Sequence, residues 1–329
     1  MEATTTIRKY RFFSHEFVNA YFITMRPYLL FVSGITGIAG ISFVENIGGI
    51  AGIVVFCAAF LSYGFGQALT DCFQTDTDSI SSPYRPLTQG VVSKAHFFWI
   101  SIIGLTICVA VFSYYYQYNI LLGVLAGLGL GTYTYFKKKW WSGPFYNAWI
   151  VCVLFLISFL AASEEFTGFY SLKFYLGAGS VFWGYSNFVL SGYFKDISAD
   201  RVTGYKTLPV VFGRKTAARV SDIFAILTIL CALLSLKNIT YNFLDVFNSF
   251  AVILFISAGI FALILSQIKL HFVKTDKDSH PAIVLNVHSY ILILSAVSIS
   301  QKPAMIFPLL IFYIAFNITM NNRPEKSQI

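Results

Sequence analysis

Residues 50–90 read IAGIVVFCAAFLSYGFGQALTDCFQTDTDSISSPYRPLTQG, a hydrophobic run that ends abruptly in carboxylates and an arginine. An α-helix needs roughly 20 consecutive apolar residues to cross a bilayer's hydrocarbon core, and the first half of this stretch supplies them. Its second half puts Asp71, Asp76, Asp78 and Arg85 at the membrane's edge. Charge in that position is costly unless it is paired, hydrated or used to bind something.

The rest of the 329-residue chain repeats the apolar pattern: 57% of residues are hydrophobic and 12% charged, against about a quarter charged in soluble domains. Ten candidate spans fall near 27–44, 50–70, 96–116, 119–136, 146–163, 170–193, 218–236, 247–268, 281–299 and 303–320. The expected fold is all-α, a polytopic transmembrane helix bundle forming one integral membrane domain over residues 1–329. Its motif-bearing loops lie at about 71–95 and 195–216. The opening MEATTTIRKYRFFSHEF is polar and lacks the basic, apolar, small-residue order of a cleaved signal peptide.

An even number of spans places all but Lys173, Lys237 and Lys302 of the 23 lysines and arginines on one side. The positive-inside bias makes that side cytoplasmic, with both termini, and the cell inner membrane is the expected location. The net charge of +8 then describes a membrane face, and nucleic acid is not an expected partner. The cysteines are scattered singly and the histidines form no ligand cluster, so zinc and iron are not indicated.

On a continuous helix Gln67, Asp71, Gln74 and Asp78 would share one face, with Asp76 pointing elsewhere. Four spans later SGYFKDISADRVTGYKTLPVVFG (191–213) again places two aspartates, Asp196 and Asp200, one turn apart at the same membrane face. Both clusters are followed by an aromatic, a base and a leucine: Tyr84, Arg85 and Leu87, then Tyr205, Lys206 and Leu208. One acidic loop reads as solvated charge. Two matched loops suggest a ligand, and oxygen donors of this kind suit Mg²⁺ together with phosphate oxygens and water.

A polyphosphate would account for the bases as well. Arg85, between Pro83 and Pro86, can hold two phosphate oxygens with its planar fork, Lys195 and Lys206 add point charges, and Tyr193 can donate a hydrogen bond. Arg26 at the head of the first span, and Tyr133, Tyr135 and Lys137 at the end of the fourth, lie at a depth suited to the same cavity. KKKWWSG (137–143) reads first as an orientation and interface signal. A diphosphate head with a tail that needs greasy, aromatic walls describes an isoprenyl diphosphate, and 18% of the residues are aromatic.

These motifs resemble those of the UbiA-type intramembrane prenyltransferases, from MRPYLLFVSGITGIAG (25–40) through both acidic loops to TLPVVFGRKTA (207–217). The family pattern is N-D-x-x-D-x-x-x-D with a P-x-R-P-L/I-x-x-G loop, then D-x-x-x-D leading into T/S-L-P-V-x-x-G. The resemblance implies a nine-helix core, to which this chain adds a tenth span. It implies metal-binding and catalytic roles for Asp71, Asp78, Asp196 and Asp200, with Arg85 catalytic. Gln67 and the PYRP run are similar to the chlorophyll-synthase-like branch. Two positions depart from the pattern: Thr70 stands where the family has asparagine, and Gln74 where it has the middle aspartate. Gln74 brings no charge, and Asp76 is a substitute ligand if the helix breaks early.

The implied activity is a Mg²⁺-dependent transfer of an isoprenyl group from its diphosphate to a lipophilic or aromatic acceptor. Gln67, Gln74, Tyr193, Lys195, Lys206, Arg26 and Tyr135 are the expected substrate contacts, and membrane lipid surrounds the site. A terpene cyclase of the same superfamily and a secondary transporter are the alternatives; a transporter's coupling site would be expected nearer the midplane.

Overall fold

The computed structural model describes residues 9–164, 171–236 and 243–323. Among them the regular structure is helical: α1 (His15–Met25), α2 (Leu30–Ser42), α3 (Gly49–Asp71), α4 (Thr75–Ser81), α5 (Lys94–Tyr115), α6 (Asn119–Lys137), α7 (Gly143–Ser163), α8 (Leu172–Gly192), α9 (Ile197–Val202), α10 (Leu208–Ser235), α11 (Phe243–His271), α12 (His280–Gln301) and α13 (Ile306–Asn321). Of the segments expected opposite the site, near 165–172 and 238–246, residues 165–170 and 238–242 lie outside the described residues, as do Lys237 and the chain ends carrying Arg8 and Lys326.

Among the described residues nine helical segments are long and apolar enough to cross a membrane, with α1 and α2 counted as one. The remaining long helix, α8, is less apolar because it carries Ser180, Tyr185, Ser186, Asn187 and Ser191, all buried. It packs against α7, α10 and α12, where Ser221 of α10 donates to Asn187 Oδ1 and Asn286 of α12 to Ser191 Oγ. Such side chains join helices where lipid offers no partner. The ten expected spans are thus all present as helix.

Where the helices approach closest, small residues make the approach possible. A Cβ at Gly40 of α2 would land on the Phe155 carbonyl oxygen of α7, and one at Gly37 would meet Ala59 Cβ of α3 at 2.5 Å. The largest hydrophobic cluster gathers aromatic and aliphatic side chains around α2, α7, α8 and α12. At one end of the bundle Lys302 Nζ donates to the Val44 carbonyl and Gln301 Nε2 to the Ser235 carbonyl. The acidic loops gather at the other end, where α4 meets α9.

Two features differ from the sequence reading. The N-terminal segment forms α1 before the first span, packed on α3 and α5 through Phe17, Tyr21 and Phe97, with Tyr21 Oη 2.9 Å from Ser101 Oγ. It stops because Pro27 disfavours helix at the residue before it, and Arg26 turns left-handed at φ 52°. Second, α3 does not run on through Asp78. It ends at Asp71, and α4 starts anew at Thr75 after Gln74 leaves helical geometry.

Candidate active site

The break after Asp71 lets two short helices carry their aspartates to one place. Asp71 ends α3, Asp78 sits in α4, Asp196 precedes α9 and Asp200 lies within it, and all four are at most 8% exposed. The second loop is shaped by its glycine: Gly204 takes φ 76°, and the Tyr205 N–H returns to the Asp200 carbonyl at 2.7 Å. That is the Schellman closure of a helix end. It turns Tyr205 inward, and in the extended segment that follows, alternation leaves Lys206 outside and Thr207 inside. Thr207 Oγ1 donates to Asp200 Oδ2 at 3.0 Å.

Four bases meet the four acids. Arg26 Nη2 donates to both oxygens of Asp71 at 3.0 and 3.1 Å, and Gln67 Nε2 donates to Oδ1 at 2.6 Å. Arg85 pairs with Asp78 and lies 3.7 Å from Asp71. Lys137 Nζ donates to Gln74 Oε1 at 2.8 Å, stands 4.0 Å from Asp196 Oδ2, and lies over the rings of Tyr193 and Tyr205. Lys195 borders the same cavity, and the hydroxyls of Tyr133 and Tyr193 are 3.1 Å apart.

Burial sets the electrostatics here, because it penalises every charged form. It lifts the Asp78 carboxyl above the ordinary carboxylate range, although Arg85 opposes it. It takes Asp200 up to about 7 and Lys195 down to about 7. For Asp196 burial is outweighed by Lys195, Lys137 and Arg85, which hold the group below its usual range. For Arg85, Asp78 and Asp71 outweigh burial and hold the guanidinium charged.

Asp196 Oδ1, Asp200 Oδ1, Arg26 Nε and Arg85 Nε are buried without a hydrogen-bond partner. Hard oxygen donors of this kind fit a Mg²⁺ ion that completes its shell with phosphate and water. Among the described residues no three His, Cys, Asp or Glu side chains are grouped so that they could hold a metal ion by themselves; Mg²⁺ is commonly bound through one or two carboxylates, with water and substrate phosphate completing its shell.

Beneath the charges opens a cavity of about 1440 Å³, counting its mouth. Arg26, Asp71, Asp78, Arg85, Lys137, Lys195 and Asp196 line the upper part, and Leu105, Val109, Phe112, Leu154 and Ile157 the lower. Cys72 and Lys94 are level with each other, the Cys72 thiol reaching the Lys94 carbonyl at 3.8 Å. Phe112 lies about 27 Å further along α5 at about 1.5 Å per residue. The cavity therefore runs deep into the apolar slab.

Of the expected site residues, Gln67, Asp71, Gln74, Asp78, Arg85, Arg26, Tyr193, Lys195 and Asp196 all line this cavity, and Thr70 does too. Asp200 is buried just behind it. Three more of the expected residues lie outside the cavity lining. Tyr135 is 62% exposed and accepts from Lys139 Nζ, because two residues on from the cavity-lining Tyr133 a helix presents its opposite side. Lys206 is exposed, with its backbone N–H on the Lys138 carbonyl. Asp76 is exposed and accepts from Tyr205 Oη at 3.3 Å, so it ties the first loop to the second and stays out of the cavity despite the early helix break. Lys137, read in the sequence mainly as an interface signal, is 5% exposed and central.

The model of the UbiA prenyltransferase family matches residues 32–291, most of the chain and both aspartate loops. The chain belongs to that family. Among its relatives in sequence is a digeranylgeranylglyceryl phosphate synthase of Thermococcus kodakarensis, 28% identical over 233 residues that make up 70% of this chain and 82% of that protein. This is a different branch of the UbiA family from the chlorophyll-synthase-like one suggested by Gln67 and the PYRP run. A four-residue run does not set the similarity of the whole chain. The fold is that of a UbiA homologue from Aeropyrum pernix K1 (TM-score 0.67, 18% identity, 82% of this chain and 96% of that one). It is also that of a homologue from Archaeoglobus fulgidus bound to DMAPP and Mg²⁺ (TM-score 0.61, 13% identity, 91% and 96%). As a UbiA member built of these helices, the protein is an integral, multi-pass membrane protein.

Proposed function

We propose that this chain transfers an isoprenyl group from an allylic isoprenyl diphosphate to a lipophilic acceptor, with Mg²⁺ as cofactor. The observation that carries the reading is the convergence of two distant aspartate loops, three buried bases and the half-buried Lys195 at the mouth of one deep apolar cavity. Asp71, Asp78, Asp196 and Asp200 would hold Mg²⁺, which supplies charge to neutralise the diphosphate and to ease its departure.

Arg85 and Lys137, with Lys195 beside them, take up the charge that grows on the departing oxygens; donors aimed there before reaction act at little reorganisation cost. Tyr63, Tyr133, Tyr185 and Tyr193 line the cavity beneath the charges, where their faces can steady positive charge on the allylic carbon. The apolar walls keep water from it, and the acceptor's nucleophile closes the reaction. The names of the sequence relatives make a geranylgeranyl donor and a glyceryl phosphate lipid acceptor the first pair to offer. We place the protein in the cell inner membrane with the site and both termini cytoplasmic, since the lysines and arginines gather at the site's end of the bundle.

The test is purified protein in nanodiscs given dimethylallyl, geranyl, farnesyl or geranylgeranyl diphosphate with Mg²⁺, with and without acceptor. Transfer releases diphosphate and forms a joined lipid only when both substrates are present. A product made from the donor alone would establish a cyclase, and absence of diphosphate release with every donor would overturn the reading.

A further inference from the structure

The helix that carries Asp200 is capped by a residue from another part of the chain. Asp196 occupies the N-cap position of α9 but makes no capping hydrogen bond with its side chain. An N-cap aspartate ordinarily accepts from the N–H two or three residues on. Here the Ser198 N–H, two residues on, donates at 2.7 Å to Asp276 Oδ2, in the turn between α11 and α12. Asp276 is itself fixed in that position. Arg214 Nη2 donates to its other oxygen at 2.5 Å, and Thr275 and Asp278 close a capping box around the turn. Asp196, 8% exposed and lining the cavity, keeps Oδ1 without a hydrogen-bond partner.

We propose that Asp276 is a positioning residue: by capping α9 from outside it leaves the Asp196 carboxylate available to the cavity. Without Asp276 the Asp196 carboxylate, in the N-cap position, becomes the side chain placed to accept from the Ser198 N–H, and would turn onto its own helix and away from the ligand. The inference rests on the reading of Asp196 as a metal-binding group.

Titrating Mn²⁺ with inorganic diphosphate into nanodisc-held protein, followed by electron paramagnetic resonance, tests it without turnover. Asp276→Ala is expected to raise the half-saturating Mn²⁺ concentration about tenfold, the worth of one helix cap. Asp276→Asn keeps one acceptor for the Ser198 N–H but gives up the pairing with Arg214, and should weaken binding less than Asp276→Ala does, since Asn caps as well as Asp. In an Asp196→Asn background the Asp276→Ala penalty should vanish, because residues acting through one group are not additive. Arg214→Gln loosens the tie and should weaken binding in the same direction, which keeps the test open if Asp276→Ala does not fold. Unchanged binding in Asp276→Ala, or in Arg214→Gln, would overturn the inference. So would a full penalty that persists in the Asp196→Asn background, which would mark a general loosening of α9. If wild-type protein bound no Mn²⁺, the metal reading itself would fail, whatever Asp276 does.

Discussion

At the scale of single residues the four aspartates are not equivalent. Asp71 neutralises Arg26, and both are buried, so Asp71→Asn removes a charge proposed to bind metal and also leaves a buried guanidinium uncompensated. Breaking such a pair costs about 3–5 kcal/mol, and the variant should show a lower thermal unfolding midpoint as well as lost activity. Asp200→Asn is the cleaner probe, since the hydrogen bond that Asp200 accepts from Thr207 has a neutral donor. We expect kcat/KM to fall by at least about 100-fold, as for groups that hold or orient a metal, with the unfolding midpoint nearly unchanged. Activity within a few-fold of wild type would remove Asp200 from the site. Gln74, which departs from the family pattern, accepts from Lys137. A carboxylate there would pair with Lys137 and compete for it with the diphosphate. Gln74→Asp should therefore raise KM for the donor about tenfold, the worth of one charge-assisted hydrogen bond. A lower Mg²⁺ requirement at unchanged KM would instead make position 74 a metal ligand.

At the scale of elements, the breaks matter as much as the helices. Pro27 stops α1 and delivers Arg26; the interruption at Cys72–Gln74 delivers Asp78; Gly204 closes α9 and sets Asp200. No atom lies within 4 Å of a Cβ built on Gly204, so a side chain there pays only for its left-handed backbone. Gly204→Ala should cost about 1–2 kcal/mol, and Gly204→Asn less, because Asn tolerates that region. Equal unfolding midpoints for the two variants would disprove this account. Gly40→Ala tests the opposite situation, a permitted backbone with no room. Its Cβ would meet the Phe155 carbonyl, which cannot yield as a side chain can, so α2 and α7 must part at about 1–3 kcal/mol. The motif loops and their turn residues were legible before the structure. The helix break was not, because a polar stripe at helical spacing reads the same whether one helix carries it or two short ones converge.

At the scale of the whole molecule, the charged site and the ties at Lys302 and Gln301 lie at opposite ends of the bundle. With ten long segments, α13 brings the chain back to the site's end, where it packs on residues 27–29. Single cysteines in a background lacking native thiols should therefore label from the same side at Thr203 and Asn322, and from the other side at Lys173. Labelling of Asn322 and Thr203 from opposite sides would require one span to be miscounted. The sequence alone determined the class of fold, since no soluble core accommodates so many apolar runs. It also picked out both aspartate loops, since charge at a membrane edge is too costly to be incidental. Upstream stripes were legible in principle as well: Tyr63 lies one turn before Gln67, Tyr185 two turns before Tyr193, and Lys137 one turn after Tyr133. Only the tertiary structure decided which charges face one another. It excluded Tyr135, Lys206 and Asp76, drew in Lys137, and brought Asp276 from a distant turn to cap α9. Local periodicity specifies which side of a helix a residue occupies. What that side meets depends on packing between segments far apart in the chain, and no local pattern carries that information.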